Sequence, residues 1–258
     1  MKKGFIIAIM CIAISISAVS AFMAIAPVGA DIAKEKVQEF VNDPSVNIVF
    51  QNSEHLNQGD YYVFSTGNGQ AYVNMYTGVV ERASFADARE SFGEIRLESA
   101  GAEMVARGYA EEKYCGFADM NMQLIESHLR GHGDAGSEYS FIWREKINGI
   151  LTPNTVVISV NPTSGEIISY MGIQREITCP PEPEISRDNA LKIAAEQFSG
   201  ITVVDTTAEL SIEYTQPGVQ LPTWVIMIKG EPEDHVLQGG LVVIDALTGK
   251  VLMTSPYL

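Results

Sequence analysis

Near its end the chain reads IDALTGKV over residues 244–251, and the fold prediction starts from this stretch. It consists of an apolar residue, an Asx residue, two variable residues, Thr or Ser, Gly, one variable residue and a second apolar residue. The same pattern occurs as VNMYTGVV over residues 73–80 and as VNPTSGEI over residues 160–167. Three matches, at offsets of 87 and 84 residues, indicate an internal repeat.

Each of the three stretches predicts a β-hairpin turn. The side chain of Asn or Asp can bond to the backbone two residues further on and so start a turn. Gly supplies the positive φ that a turn closed by a bulge requires. Backbone geometry therefore explains the motif, and we assign no functional site to its residues.

Strands and helices are predicted around these turns. Strands rich in aromatic and β-branched residues precede the turns at 61–64, 139–143 and 223–228. A helix candidate precedes each set of strands. The predicted buried stripes are Ala33, Val37, Phe40 and Val41 in the first helix; Leu97, Gly101, Met104, Val105, Gly108 and Tyr109 in the second; and Ala190, Leu191, Ala194 and Phe198 in the third. Ser186 is expected to cap the third helix.

The predicted fold class is α+β, with repeated units of one helix packed on an antiparallel β-sheet after an N-terminal hydrophobic segment. The predicted divisions are residues 1–30, a short diverged repeat at 31–84, a second repeat at 85–178 and a C-terminal repeat at 179–258. The last boundary is the sharpest, because Cys179 is followed by a proline-rich run that forms a stiff linker.

The first thirty residues predict export. Lys2 and Lys3 form a positive start, and residues 4–30 are uncharged and long enough to span a bilayer. The small residues Val28 and Ala30 would also suit a signal peptidase. Residues 1–30 are therefore either a cleaved signal peptide or a retained anchor. Both place the remainder outside the cell or on the outer face of the cytoplasmic membrane.

The charge balance limits the class of partner. The chain has 17 Lys and Arg against 32 Asp and Glu, a net charge of −15. Such a surface repels phosphate backbones, so nucleic acid is not an expected partner. It suits solubility, or the attraction of cations and basic partners.

Two cysteines, Cys115 and Cys179, lie outside the N-terminal segment. In an exported protein they can form a disulfide, or they can remain free buried thiols. The sequence leaves both possibilities open, since nothing in it determines their distance.

The sequence predicts no enzyme, with no catalytic, cofactor-binding or metal-binding residues. His128 and His132 come nearest to a zinc-protease motif, but that motif needs a Glu and a stable helix, and glycines flank His132. The acidic loop 231–234 lacks the alternating oxygen ligands and the Gly of a calcium loop. His55 and His235 are isolated in the sequence. Gly67 and Gly69 precede a strand and not a helix, so they are not expected to bind a phosphate group.

The C-terminal repeat resembles the PepSY domain family. The residues that carry the resemblance are ISRDNALKIA at 185–194, PTWVI at 222–226 and VIDALTGKVL at 243–252. The likeness extends over nearly all of residues 184–254. It is weaker in the second repeat, and in the first it is limited to 71–80. The second and third repeats together resemble the tandem arrangement of one family member. The resemblance implies a PepSY/cystatin-like fold.

The resemblance also implies a function. PepSY domains occur outside the cell, in propeptides of thermolysin-like proteases and in stand-alone surface proteins, and are thought to restrain or chaperone hydrolases. We therefore expect an exported, non-catalytic protein whose partner is a secreted peptidase or cell-wall hydrolase, bound through an exposed sheet edge or sheet face. The alternative is a structural or cation-binding surface protein without a hydrolase partner.

Overall fold

The computed structural model describes residues 26–67, 69–85, 88, 93–133, 136–233 and 236–257. The helices are α1 (Ala30–Val41), α2 (Ser99–Lys113) and α3 (Arg187–Glu196). The strands are β1 (Ile48–Leu56), β2 (Gly59–Thr66), β3 (Gly69–Asn74), β4 (Val80–Ser84), β5 (Met122–Gly131), β6 (Ser137–Ile147), β7 (Ile150–Val160), β8 (Ile167–Ile173), β9 (Val203–Gln216), β10 (Val219–Glu233), β11 (Val236–Asp245) and β12 (Val251–Pro256).

All twelve strands belong to one mixed sheet. Its main order is β1-β2-β3-β4-β8-β7-β9-β10-β11-β12, and β6 joins it through β7 with β5 outside β6. The pairing is antiparallel throughout, except that β7 and β9 run parallel where Leu151 lies opposite Ser211. Among the described strands, β1, β5 and β12 each have one partner and form the free edges of the sheet.

This architecture corrects the predicted fold class. An α+β protein of repeated helix-on-sheet units is wrong, because the described residues are mostly strand and the strands form one continuous sheet. The physical reason lies at the strand edges. β4 pairs with β8 and β7 pairs with β9, so backbone groups that separate units would expose are hydrogen-bonded. The predicted divisions near residues 84 and 179 stay predictions.

The three predicted hairpin turns are confirmed and share one geometry. In each, the Asx side-chain oxygen accepts hydrogen bonds from the backbone N–H groups two and three residues later, at 2.8–3.3 Å. The Gly has a positive φ of 69° to 78° and donates its N–H to the Asx carbonyl. Burial of Asp245 opposes its ionisation, but the hydroxyl of Thr248 and two backbone N–H groups lower its pKa.

Two of the helices bury the residues that the sequence predicts. In α1, Ala33 and Val37 are fully buried, and in α3 the same holds for Ala190 and Ala194. The hydroxyl of Ser186 accepts a hydrogen bond from the backbone N–H of Asn189, so the predicted cap of α3 is confirmed.

The buried face predicted for α2 is right only in part: Leu97 and Tyr109 pack against the core, but other residues are buried more completely. Its buried residues are Ala102, Ala106 and Ala110, whereas Met104 is 76% exposed. These alanines share one core cluster with the aromatic residues of β6. Small side chains let a helix approach a sheet that carries large rings, so the alanines of α2 are buried more completely than its larger residues.

The aromatic side chains of β6 form the centre of that cluster. Tyr139, Phe141 and Trp143 lie on one face of the strand and are 8%, 0% and 0% exposed, which confirms their predicted packing role. Phe117 meets Trp143 edge to face, with ring centroids 5.7 Å apart. Rings in this arrangement contribute beyond the area that they bury.

Cys115 and Cys179 are free thiols in this structure, so no disulfide joins them. The predicted signal peptide or anchor lies almost entirely outside the described residues. Within the described parts of the chain, each helix is too short or too polar to cross a membrane.

The hairpin after β11 gives a direct test of the turn geometry. Gly249 has φ +77°, and a Cβ built there would lie 3.4 Å from Ile193. We expect Gly249→Val to lower the free energy of unfolding by about 2 kcal/mol, because a β-branched residue is strained at positive φ. Gly249→Asn is the control and should cost clearly less, since Asn tolerates this conformation. Urea unfolding of both variants measures the difference, and equal losses would contradict the argument.

Buried tyrosines make the fold sensitive to alkali. Burial is the largest cause that raises the pKa of Tyr61, Tyr109, Tyr114 and Tyr170. In the unfolded chain these tyrosine hydroxyls ionise near pH 10, whereas in the folded chain they stay protonated to higher pH. The stability of the fold is therefore complete below pH 10 and is lost as the pH rises above it. We expect a loss of about 1.4 kcal/mol per pH unit for each such tyrosine. Urea unfolding between pH 8 and about 12 tests this, and Tyr114→Phe should give a shallower slope than the unmodified chain.

Candidate protein-binding face

Cross-strand pairing aligns a row of side chains across six strands. Successive residues of a strand point to opposite faces, so directly paired residues share a face. One row points towards the helices and is buried; its members are Phe64, Ala71, Ala83, Tyr170, Ile158 and Phe141. The adjacent row lies on the opposite face, which we call the helix-free face; its members are Val63, Tyr72, Arg82, Met171, Val157 and Ile142.

The two rows differ in exposure. Val63 in the helix-free row is buried, but Tyr72, Met171, Val157 and Ile142 are all partly exposed. A contiguous group of partly exposed apolar side chains is typical of an interaction surface, whereas single exposed apolar residues are common on any protein.

Arg82 is the charged member of this row. Its Nη2 donates a hydrogen bond of 3.2 Å to the side-chain oxygen of Gln58. Its Nε is buried and has no hydrogen-bond partner among the described residues. A buried unsatisfied donor is uncommon and calls for an explanation. The planar guanidinium offers its remaining donors in the geometry that suits a carboxylate.

A crevice of about 220 Å³ lies beside this row. Its lining residues are Gln58, Arg144, Pro153, Thr155, Met171, Ile173, Glu213 and Tyr214. Two ion pairs draw β9 towards β6 here, between Arg144 and Glu213 at 2.7 Å and between Lys146 and Glu209 at 2.6 Å. The helix-free face is therefore bounded on one side by a polar wall.

A buried ion pair holds the neighbouring strands together. The guanidinium of Arg175 binds both carboxylate oxygens of Glu81, at 2.6 and 2.7 Å, and Tyr61 donates to the same carboxylate at 2.7 Å. Arg175 also donates to the backbone carbonyl of Gln58 through Nε and Nη2. Its backbone N–H donates to the side-chain oxygen of Asn154. We call this group the Arg175 clamp.

The clamp is both buried and charged. The side chain of Glu81 is 3% exposed and that of Arg175 is 15% exposed. Burial opposes the charge of Arg175, but its hydrogen bonds to Glu81 and the negative charge of Glu81 outweigh burial and raise the pKa of Arg175. Because the clamp holds the backbone of Gln58, it also positions the side chain that receives Arg82.

The sequence singles out none of the residues of the clamp or of the helix-free face. A signal is nevertheless present in β4, where Glu81 and Arg82 lie between Val80 and Ala83. Two adjacent charged residues between buried apolar ones need partners. The register of β4 against β3 shifts here, with Val80 opposite Val73 and Arg82 opposite Tyr72, so Glu81 is an extra residue whose face strict alternation does not assign. Their partners come from distant segments, and nothing in the sequence pairs them.

The structure separates the histidines that the sequence compares with a metal motif. His128 lies on strand β5 rather than a helix, 3.0 Å from Glu126, and His132 lies 3.4 Å from Glu138. His55 pairs with Asp60 at 2.7 Å. Within the described residues, no three His, Cys, Asp or Glu side chains gather as a metal site would require. His235 lies outside the described residues.

Comparison with solved structures finds a similar fold in the Bacillus megaterium YpeB C-terminal domain. The two agree with a TM-score of 0.51 at 14% sequence identity, over 90% of this chain and 99% of that one. No family model matches the sequence, and no curated protein matches it. YpeB is the PepSY-containing protein whose tandem arrangement the second and third repeats resemble, so that resemblance is confirmed for the fold. PepSY membership stays a prediction.

The Arg175 clamp yields a double-mutant prediction. Arg175→Met should cost about 3–5 kcal/mol of unfolding free energy, because it leaves the buried carboxylate of Glu81 without its counter-charge. Adding Glu81→Leu to that variant should recover part of the loss, since no unpaired charge then remains. Chemical denaturation measures each variant.

The matched control is Lys36→Met, which removes the exposed ion pair with Glu39. It should change stability by less than about 0.5 kcal/mol. The coupling would be contradicted if the double variant lost as much unfolding free energy as Arg175→Met and Glu81→Leu lose together when measured separately.

Proposed function

We propose that this chain is an exported, non-catalytic protein that binds a secreted peptidase or cell-wall hydrolase through the helix-free face and restrains or chaperones it. The observation that carries the proposal is the row of partly exposed apolar side chains on that face, with Arg82 at its centre. The YpeB-like fold and the residues that resemble PepSY domains support the class of partner.

The face suits a protein partner better than a small ligand. Its apolar members lie side by side on adjacent strands instead of lining a deep cavity, and the adjoining crevice holds only about 220 Å³. A partner that places apolar side chains over Tyr72, Met171 and Val157 would exclude water from them. A partner carboxylate over Arg82 would pair with its partly exposed guanidinium.

Restraint of a hydrolase follows from this mode of binding. A non-catalytic protein inhibits an enzyme when it covers the substrate cleft, and it chaperones the enzyme when it binds the folded state and not the unfolded one. The net charge of −15 also means that basic groups around the partner's contact area would speed the encounter.

The experiment measures binding and inhibition of the secreted hydrolases of the same cell. The full chain and residues 26–258, which include all described elements, are each titrated against purified hydrolases by calorimetry and by activity assay. We expect Val157→Glu to weaken binding at least about tenfold, because it places a charge in the apolar row.

Met104→Glu is the matched control, since Met104 is 76% exposed on α2, away from the helix-free face. It should leave binding unchanged. If the unmodified chain binds and inhibits no secreted hydrolase, the proposal fails. In that case a rise in melting temperature on calcium titration would favour a cation-binding surface protein instead.

A further inference from the structure

Three strands of the sheet follow the same kind of turn. β4, β8 and β12 each begin six residues after the Asx residue of a hairpin turn, and each pairs with the strand before the turn. The outer edges of β4 and β8 pair with each other, antiparallel. The outer edge of β12 has no partner strand among the described residues. We propose that β12 pairs, antiparallel, with β12 of a second copy of this chain.

The register of the β4–β8 pair supports a second copy of β12 as the partner of β12. Ala83 and Tyr170 lie opposite each other, and each is the ninth residue after its Asx residue. Equivalent positions therefore meet at the centre of the pair, which gives it an approximate two-fold axis. The ninth residue after Asp245 is Thr254. In the same register, Thr254 faces Thr254 of the second copy, so the pairing closes as a symmetric dimer.

The backbone of β12 presents the groups that this register needs. Phe85 donates its N–H to the carbonyl of Ile168, and alternation then makes Ala83 and Tyr170 a hydrogen-bonded pair. In β12, Tyr257 donates to the carbonyl of Gly239, so alternation directs the N–H of Thr254 away from β11. Two copies of Thr254 can therefore exchange both of their backbone hydrogen bonds.

Charge distinguishes β12 from the other free edges. β12 contains no charged residue, whereas β1 contains Glu54 and β5 contains Glu126 and Arg130. β1 and β5 also carry a bulge in mid-strand, whereas the bulge of β12 lies at its start, between Val251 and Met253. Charges and bulges are the devices by which proteins prevent edge pairing. Two chains of net charge −15 repel at charged surfaces, so the uncharged edge is where they can meet.

Side chains next to the edge add apolar contact. Met253 is 46% exposed and pairs with Val243 of β11, on the face opposite the α3 core. In the proposed register Met253 faces Ser255 of the second copy and lies diagonal to its Met253, within reach of that long side chain. Pro256 cannot donate a hydrogen bond, so the paired segment ends there and its register is limited.

The test compares self-association of three forms by sedimentation equilibrium, with the full chain and with residues 26–258. The unmodified protein should show a reversible monomer–dimer equilibrium. Thr254→Pro removes the outward N–H, which β11 does not use, and should weaken the dimer at least about tenfold. Thr254→Val keeps the N–H and the β-branched shape and should dimerise like the unmodified protein.

A cross-link tests the register independently of affinity. In a background of Cys115→Ser and Cys179→Ser, applied to residues 26–258, Thr254→Cys should form an intermolecular disulfide under mild oxidation, because only this position meets itself. Lys250→Cys, in the turn, is the control and should not.

A monomer at all concentrations together with no cross-link overturns the proposal, as does a dimer that Thr254→Pro leaves intact. The proposal is also overturned if the unmodified chain stays monomeric and Thr254→Pro abolishes binding of a different protein. That result would show that the edge of β12 binds the other protein. None of these outcomes depends on the proposed hydrolase.

Discussion

The Arg175 clamp connects parts of the chain that lie far apart in sequence. Arg175 follows β8, yet its guanidinium binds Glu81 in β4 and the backbone of Gln58 between β1 and β2, while its own N–H bonds to Asn154 in β7. A buried guanidinium is stable only when its donors are satisfied, and Glu81 and the carbonyl of Gln58 contribute to that. The strands that carry the partners are held in one relative position as a result.

The helix-free face depends on that position. Its apolar row runs through β2, β3, β4, β8, β7 and β6, so it exists only because β4 lies against β8. The pairing between these two strands covers three residue pairs. Such a short contact gains from the neighbouring clamp, which joins the same two segments through side chains. The ion pairs of Arg144 and Lys146 with β9 bound the face on its other side.

Edge pairing explains why one sheet forms. A strand that ends a hairpin leaves a row of backbone groups without partners, and the chain satisfies them where a second such strand is available. β4 and β8 satisfy each other in this way. The contrast among the remaining edges is chemical, since β1 and β5 contain charged residues and β12 contains none. The same rule thus accounts for the pairing within the chain and for the difference between its free edges.

The sequence alone determined the three hairpin turns, the positions of the helices, the Ser186 cap and the packing role of the β6 aromatics. These features depend on contacts within a few residues, such as an Asx oxygen and the N–H groups that follow it, or on the period of a single element. Local patterns were right only in part for α2, because the large rings on the sheet favour its alanines at the closest contact, and Met104 is exposed. Only the tertiary structure decided that the strands form one sheet, that Arg175 binds Glu81 and that Arg82 lies in an apolar row. Each of these features joins segments that are distant along the chain. Local patterns in a single sequence do not show which distant segments come into contact.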